Sequence, residues 1–164
     1  MTQHPKNHRK LWLEQLVKEN GYVIGAELGV HEGVTHLHLL KNCPELTMIG
    51  VDRYQGNQAR YWEEFTSKLV QFSNRSKFYR MATTEAAKHI SDGQLDFVFI
   101  DADHRYQSVL ADIKAWSPKV RVGGHITGHD CNHTDVKRAL IEVFGKGAYE
   151  TAQDDVWFVK KVTV

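Results

Sequence analysis

Short apolar runs alternate along the chain with longer segments whose apolar positions recur every three or four residues. Runs of the first kind predict buried strands, and segments of the second kind predict amphipathic helices. The predicted strands cover residues 22–28, 47–52, 77–80, 95–100, 124–128 and 155–164. The predicted helices cover residues 9–20, 33–40, 57–72, 84–90, 105–116 and 134–144, and a threonine cap is expected to open the fourth of them.

This alternation of strand and helix predicts an α/β fold with a parallel sheet covered by helices on both faces. In such sheets a ligand binds beyond the carboxyl ends of the strands, where those ends meet at one edge. Polar or glycine-containing segments come directly after several predicted strands, namely Glu27-Leu28-Gly29, Asp52, Asp101 and His129-Asp130. The sequence therefore predicts that these residues share one site at that edge of the sheet.

The composition predicts a single domain and argues against two classes of protein, general nucleic-acid-binding proteins and integral membrane proteins. With 164 residues, 41% of them hydrophobic, the chain is long enough to bury the core of one domain, predicted to span residues 1–164 with a helical segment at 1–20. The formal net charge of +1 argues against a general nucleic-acid-binding protein. Because no apolar run approaches the roughly 18–20 residues of a spanning helix, no integral membrane protein is predicted.

The chain has two cysteines, and its first residues, MTQHPKNHRK, contain no apolar leader. We therefore expect a cytoplasmic protein in a reducing compartment, with Cys43 and Cys131 as free thiols. The basic side chains near the start are expected to form a solvated face or a frayed end: Lys6, Arg9 and Lys10.

The segment from Glu27 to Gly33 joins a predicted strand to a predicted helix. Its glycines would let the backbone turn tightly and approach a ligand, and the helix beyond offers free N–H groups. The spacing G-x-x-x-G differs from the G-x-G-x-x-G of dinucleotide-binding folds, so a plain tight turn is the alternative. Asp52, about twenty residues after Gly33, would be able to accept hydrogen bonds from both hydroxyls of a ribose. Together these features favour a nucleoside-binding site.

Two further segments carry groups suited to acid–base or metal chemistry. Asp101 ends a strongly apolar predicted strand, and His104 follows it at the mouth of the next helix, where histidine is able to act as a general base. Asp130 and Asn132 follow the next strand, with histidines on either side. Carboxylate and amide oxygens suit Mg²⁺, Ca²⁺ or Mn²⁺, and imidazole would also admit Zn²⁺ or Fe²⁺. The alternatives are a helix-entry histidine without chemistry and a solvated polar loop.

Together these residues resemble the class I S-adenosylmethionine-dependent methyltransferases over residues 22–164. The segment AELGVHEG is similar to the first motif of that family. The segment LDFVFIDADHRYQSVLADIKAWSPKVRVGGHITGHD resembles a branch of small-molecule and sugar O-methyltransferases that shows I-D-x-x-H-x-Y, a downstream D and W, then G-G and H-D. The resemblance implies a Rossmann-like, doubly wound, seven-stranded sheet that is mostly parallel, with an antiparallel C-terminal strand at 156–162 in a final hairpin.

The resemblance also implies roles for individual residues. The cofactor S-adenosylmethionine would be bound by Glu27, Gly29, His31, Gly33, Asp52, Arg53, Ala82, Thr83 and Asp101. A divalent cation, usually Mg²⁺, would be held by Asp101, Asp130 and Asn132. His104 would act as the base beside Asp101, and the methyl group would pass to a hydroxyl of a small molecule or sugar.

Three alternatives are open. The enzyme would need no metal if proximity alone drives transfer to nitrogen or oxygen. The chain would be a non-catalytic S-adenosylmethionine-binding module if the segment MATTEA and the short chain leave the site incomplete. A hydroxylase-like enzyme on the same scaffold would use the His/Asp cluster for iron. We also expect that a homodimer partner completes the pocket of so short a chain, or that the substrate is large and exposed.

Overall fold

The computed structural model describes residues 8–163, so part of the helical segment predicted at 1–20, including Lys6, lies outside the described residues. The helices are α1 (His8–Asn20), α2 (Val34–Asn42), α3 (Ala59–Leu69), α4 (Thr83–Ala86), α5 (Tyr106–Trp116) and α6 (Thr134–Phe144). The strands are β1 (Ile24–Leu28), β2 (Thr47–Val51), β3 (Ser76–Tyr79), β4 (Leu95–Ile100), β5 (Val120–Gly128), β6 (Glu150–Thr151) and β7 (Trp157–Lys160). Single 3₁₀ turns occupy Gly56–Gln58, Val70–Phe72, Ala87–His89 and Ser117–Lys119. None of these helices combines the length and the apolar character that a membrane crossing requires.

The strands form one sheet in the order β3–β2–β1–β4–β5–β7–β6. β1 pairs in parallel with β2 and β4, and the parallel pairing extends to β3 on one side and to β5 on the other. β7 is antiparallel to both β5 and β6. This topology confirms the predicted doubly wound, seven-stranded sheet with an antiparallel C-terminal strand. The winding reverses between β1 and β4, which is the point where such sheets bind ligands.

Alternating side chains of β4 contribute to two cores on opposite faces of the sheet. Phe97 and Phe99 pack in a core with residues of α1 and α2. Val98 and Ile100 pack in a second core with residues of α5 and α6. Because helices cover both faces, every residue of β4 is buried, which explains the apolar run from Phe97 to Ile100.

Most predicted boundaries lie close to the observed ones, and the larger differences have local causes. β5 starts before the predicted strand at 124–128, because Val120 already pairs with Leu95 ahead of a register shift. Gly123, with a φ of +81°, lies within that irregular stretch. The short strand β6 was not predicted, since its two residues are exposed and contain no apolar run. The helix predicted over 57–72 is confined to α3, with a 3₁₀ turn at each end.

The threonine cap predicted for the fourth helix is wrong. The N-cap position of α4 is Ala82, which makes no side-chain capping bond. Thr83 is the first residue of α4, and its hydroxyl donates a hydrogen bond to Asp112 on α5. A tertiary hydrogen bond therefore takes the place of the local cap.

The amino-terminal edge of the sheet is held by Asp96, an acidic residue inside β4. Its Oδ2 accepts the backbone N–H groups of Val23 and Ile24 at 2.7 and 2.9 Å. Its Oδ1 accepts from Arg121 Nε at 2.6 Å. Burial raises the pKa of Asp96, but the hydrogen bonds from both backbone groups and from Arg121 outweigh this and hold the pKa below its usual value. One carboxylate thus joins the starts of β1, β4 and β5.

Replacing Asp96 with alanine is expected to lower the free energy of unfolding by about 2–4 kcal/mol, because two backbone donors and a guanidinium lose their acceptor. A carboxyl with a lowered pKa stabilises only while it is ionised, so the loss should shrink as the pH falls through the folded-state pKa. Urea unfolding at neutral pH and near pH 3 measures both effects. Asp92→Ala breaks a pair with Lys119 at an exposed carboxylate and should cost less than about 0.5 kcal/mol. If Asp96→Ala and Asp92→Ala lower the free energy of unfolding equally, Asp96 does not hold the starts of the three strands together.

Candidate functional site

A cavity of about 980 Å³ opens at the carboxyl ends of the parallel strands. Its wall includes most of the residues singled out from the sequence, namely Glu27, Gly29, His31, Asp52, Arg53, Thr83, Asp101, His104 and Asp130. The other three do not line the cavity: Gly33, Ala82 and Asn132. The strand ends therefore meet at one site, as the fold predicts.

The turn between β1 and α2 lies against the end of β4, and glycine makes this approach possible. Gly29 has a φ of +84°, and a Cβ at this position would lie 2.1 Å from the carbonyl oxygen of Asp101. Its N–H donates to the Val51 carbonyl at 2.9 Å. Gly33 has a φ of +76°, and a Cβ there would lie 2.2 Å from the ring of Phe65. Gly29 thus faces the cavity, whereas Gly33 lets the turn pack on α3.

Asp52, directly after β2, is held in place by the same turn. Its Oδ2 accepts the N–H of His31 at 2.9 Å, and its Oδ1 accepts the N–H of Tyr54 at 2.8 Å. Only 8% of the residue is exposed, and the exposed part lines the cavity. Because each carboxylate oxygen can accept more than one hydrogen bond, both oxygens remain able to bind ligand hydroxyls. The geometry suits a pair of neighbouring hydroxyl groups.

Glu27 lies under the turn and is almost fully buried. Its Oε2 is 3.1 Å from His36 Nδ1, and His36 Nε2 is 3.2 Å from the Ser76 hydroxyl. Burial raises the pKa of Glu27, and the hydrogen bond with His36 opposes this effect. One oxygen of the carboxyl group is therefore engaged by α2, while the residue still forms part of the cavity wall.

Asp101, His104 and Asp130 converge at the ends of β4 and β5, and we call them the carboxylate–imidazole cluster. His104 Nε2 lies 2.7 Å from Asp130 Oδ2 and 3.5 Å from Asp101 Oδ1. His129 Nδ1 lies 3.0 Å from the same Asp130 oxygen. Asp130 has a left-handed φ of 59°, a conformation that aspartate tolerates better than most residues. The structure thus brings His104, the predicted base, close to the carboxylates of both Asp101 and Asp130.

The groups of the cluster strongly perturb one another. Hydrogen bonds to Asp101 and Asp130 raise the pKa of His104 to about 10. Hydrogen bonds from His104 and His129 hold the pKa of Asp130 well below its usual range. Burial lowers the pKa of His129, but the neighbouring carboxylates outweigh burial and raise it. The protonated His104 therefore offsets part of the negative charge of the two carboxylates.

The cluster also has the donor set of a divalent-metal site. One ligand atom from each of Asp101, His104 and Asp130 lies within 4.8 Å of the others, and carboxylate oxygens with an imidazole nitrogen suit Mg²⁺, Mn²⁺ or Zn²⁺. A cation here would compete with the proton on His104, because the same carboxylates attract both. The side-chain nitrogen of Asn132 donates to Asp155. The role of Asn132 as a ligand stays a prediction, and His104 is the third group found beside the two carboxylates.

Thr83 and Asp112 form another part of the cavity wall. The Thr83 hydroxyl donates to Asp112 Oδ1 at 2.5 Å, and Trp116 Nε1 donates to the Thr83 carbonyl at 3.1 Å. Burial raises the pKa of Asp112 to about 6. Sequence reasoning did not select Asp112 as a site residue, although it shares the buried face of α5 with Val109 and Ile113. An acidic residue on an apolar helix face is the signal that indicates it.

Arg9 of α1 also reaches the cavity, so its predicted place on a solvated face is wrong. Its Nη2 lies 3.8 Å from Asp101 Oδ2, and its Nη1 lies 3.4 Å from His129 Nε2. This position depends on how α1 packs against the sheet, and nothing in the local sequence indicates it.

Known proteins share the fold of this chain. A family model described as "Methyltransferase domain" matches residues 26–131. The cofactor-bound structure of Rv0187 from MTB is 15% identical, with a TM-score of 0.75 over 98% of this chain and 83% of that chain. A Staphylococcus aureus protein provisionally described as a caffeoyl-CoA O-methyltransferase is 14% identical, with a TM-score of 0.73 over 95% of this chain and 83% of that chain. CalS11, a TDP-rhamnose 3′-O-methyltransferase of calicheamicin biosynthesis, is 13% identical, with a TM-score of 0.69 over 96% and 80%. At these identities the similarity shows a shared fold.

Curated proteins match by sequence over a part of their length. Protein y4gI of Sinorhizobium fredii (strain NBRC 101917 / NGR234) is 27% identical over 135 residues, which cover 73% of this chain. Protein R132 of Acanthamoeba polyphaga mimivirus is 28% identical over 109 residues, which cover 63% of this chain. The match spans 14% of the first relative and 49% of the second.

Asp112→Asn is expected to stabilise the protein at neutral pH by about 1–3 kcal/mol, because burial disfavours the ionised carboxylate and an amide oxygen still accepts from Thr83. A carboxyl with a raised pKa loses stability as the pH rises from its unfolded value to the folded value of about 6. The stability difference between variant and wild type should therefore be small near pH 4 and complete above pH 7.

Thermal unfolding of both proteins across this pH range measures the difference, with Asp92→Asn as the control at an exposed carboxylate. A stability gain of equal size at every pH, or a loss at neutral pH, would show that Asp112 does not ionise at a cost to the fold.

Proposed function

Because the chain belongs to the methyltransferase-domain family, we propose that it transfers the methyl group of S-adenosylmethionine to a hydroxyl of a small molecule. The observation that carries the proposal is the position of the carboxylate–imidazole cluster. It lies at the ends of β4 and β5, on the wall of the same cavity as Gly29 and Asp52. A pocket suited to a nucleoside and a group of acid–base residues therefore face one space.

The donor would lie across the carboxyl ends of β1, β2 and β4. The turn at Gly29 would bring the backbone close to the ligand, and Asp52 would accept hydrogen bonds from the ribose hydroxyls. Arg53 and Thr83, on the same wall, would border the adenine. Ala82 and Gly33 would support this wall from behind.

The acceptor hydroxyl would be prepared by the cluster. The methyl group of a sulfonium is already activated, so the protein mainly has to position the acceptor and assist the loss of its proton. His104 Nε2 lies between the carboxylates. Because they raise the pKa of His104 to about 10, the imidazole would accept this proton only in its neutral form, which is the minor form near neutral pH, so the rate by this route should rise as the pH approaches that pKa.

The proposal includes a divalent cation held by Asp101, Asp130 and His104. When bound, a cation would lower the pKa of a hydroxyl beside it. His104 would be unable to bind a cation and accept a proton through the same Nε2 atom, so the metal-assisted and metal-independent reactions give it different roles. Removing the cation with a chelator distinguishes the metal-assisted reaction from the metal-independent one.

A catalyst fits the cavity better than a module that only binds S-adenosylmethionine. Mutually perturbed ionisable groups in a cavity are typical of catalytic sites, and the pKa values of His104 and Asp130 are shifted in opposite directions. The names of two structural relatives, which refer to caffeoyl-CoA and TDP-rhamnose, support a small-molecule hydroxyl as the acceptor.

A homodimer in which a second copy of the chain covers the pocket stays a prediction, which light scattering would test.

Donor binding is tested by calorimetry with S-adenosylhomocysteine. Wild-type protein should bind it, and Asp52→Asn should weaken binding by about 10- to 100-fold, because the amide keeps the shape but loses charge and an acceptor. Asp92→Ala, remote from the cavity wall, should bind as the wild type does. An Asp52→Asn protein with wild-type affinity would place the ribose elsewhere.

Turnover is tested with a labelled methyl donor and a panel of catechols, hydroxycinnamoyl thioesters and nucleotide sugars. On the best acceptor, His104→Gln should lower kcat by about 10²- to 10⁴-fold and leave the affinity for S-adenosylhomocysteine unchanged. His133→Gln is the control, since its ring lies 6.1 Å from that of His104 and off the cavity wall.

Chelation by EDTA, with Mg²⁺ added back, decides the role of the metal in the same assay. If activity survives EDTA but is lost in His104→Gln, the reaction needs no metal and His104 acts as the base. Binding of S-adenosylhomocysteine without methylation of any acceptor would favour the non-catalytic module.

A further inference from the structure

Arg9 is the second residue of α1, yet its side chain forms part of the cavity wall at the ends of β4 and β5. A hydrogen bond holds the start of α1 against the segment between β6 and β7. The backbone N–H of Arg9 donates to Oδ2 of Asp154 in that segment at 3.1 Å. The side chain is 31% exposed. Most of the side chain is thus withdrawn from bulk solvent, and the guanidinium lies beside the acid–base residues.

This guanidinium has hydrogen-bonding capacity that the described part of the chain does not use. Arg9 Nε is buried and has no acceptor among residues 8–163. Its Nη2 is 3.8 Å from Asp101 Oδ2, which is too long for a hydrogen bond. A buried donor without a partner costs stability, so it marks a place where an acceptor belongs.

The two oxygens of Asp101 face different groups. Oδ1 lies 3.5 Å from His104 and 3.7 Å from His129, whereas Oδ2 lies toward Arg9. A guanidinium and a carboxylate held just beyond hydrogen-bond distance are complementary to a zwitterion, whose carboxylate would bind the arginine and whose ammonium would bind the aspartate. An α-amino acid has this arrangement of charges, and a lone anion such as phosphate does not.

We propose that Arg9 binds the α-carboxylate at the amino-acid end of S-adenosylmethionine, with Asp101 Oδ2 accepting from the ammonium group. The inference rests on the proposed function, because it takes the donor to lie in this cavity. Arginine suits the role, since its planar fork can make two parallel hydrogen bonds to one carboxylate. The helix α1 is then a part of the donor site. Asp101 would bind the ammonium group of the donor through Oδ2, while its Oδ1 lies near His104 in the cluster.

Calorimetry with two ligands tests this assignment. The ligands are S-adenosylhomocysteine and its decarboxylated analogue, which differ only in the carboxylate. Wild-type protein should bind the first about 10- to 100-fold more tightly, because the analogue cannot form the charged hydrogen bonds. Arg9→Gln should bind both ligands with affinities that agree within about two-fold, because the partner of the carboxylate is gone.

Lys10→Gln is the matched control, because it removes the same charge from the neighbouring residue, which is not on the cavity wall. It should keep the wild-type preference for the carboxylate. Arg9→Lys keeps the charge on a flexible chain without the planar fork and should show an intermediate preference. It also provides a second test if melting without ligand shows that Arg9→Gln is unfolded.

An Arg9→Gln or Arg9→Lys protein that keeps the full wild-type preference would overturn the inference and leave the proposed function intact. A folded wild-type protein that binds neither ligand would overturn the proposed function itself, and the role of Arg9 with it. The two failures are therefore distinguishable in one set of titrations.

Discussion

The site depends on the contact between the β1–α2 turn and the end of β4. The Leu28 carbonyl accepts the N–H of Asp101 at 2.9 Å, and the N–H of Gly29 donates to Val51 at 2.9 Å. Only a residue without a side chain fits at this point, since a Cβ on Gly29 would lie 2.1 Å from the Asp101 carbonyl. β1 is therefore hydrogen-bonded to both neighbours up to the edge of the cavity. The positions of the turn, of Asp52 after β2 and of Asp101 after β4 all follow from this arrangement.

The fold could be predicted from the sequence wherever burial on both faces produces a clear pattern. β4 is apolar from Phe97 to Ile100 because helices cover it on each side. β6 has no such pattern, since its two exposed residues form a strand only by pairing with β7. The cap of α4 could not be predicted for a related reason. The hydroxyl of Thr83 bonds to Asp112 on another helix, and a local capping rule contains no information about that partner.

The strand-end residues of the site could be predicted because topology alone brings them to one edge of the sheet. Arg9 and Asp112 reach the cavity from α1 and α5, and the topology of the sheet contains no information about them. Loop geometry also places His104 between Asp101 and Asp130, and no sequence pattern indicates these distances. Residue type indicated the chemistry of this region, and tertiary packing decided which side chains face the cavity.

We propose that one cavity holds both the methyl donor and the groups that prepare the acceptor. A crystal structure with S-adenosylhomocysteine would show whether it does. We expect the ribose to lie on Asp52 and the sulfur atom to face the cluster of Asp101, His104 and Asp130. A ligand bound outside this cavity, or one whose sulfur points away from the cluster, would contradict it.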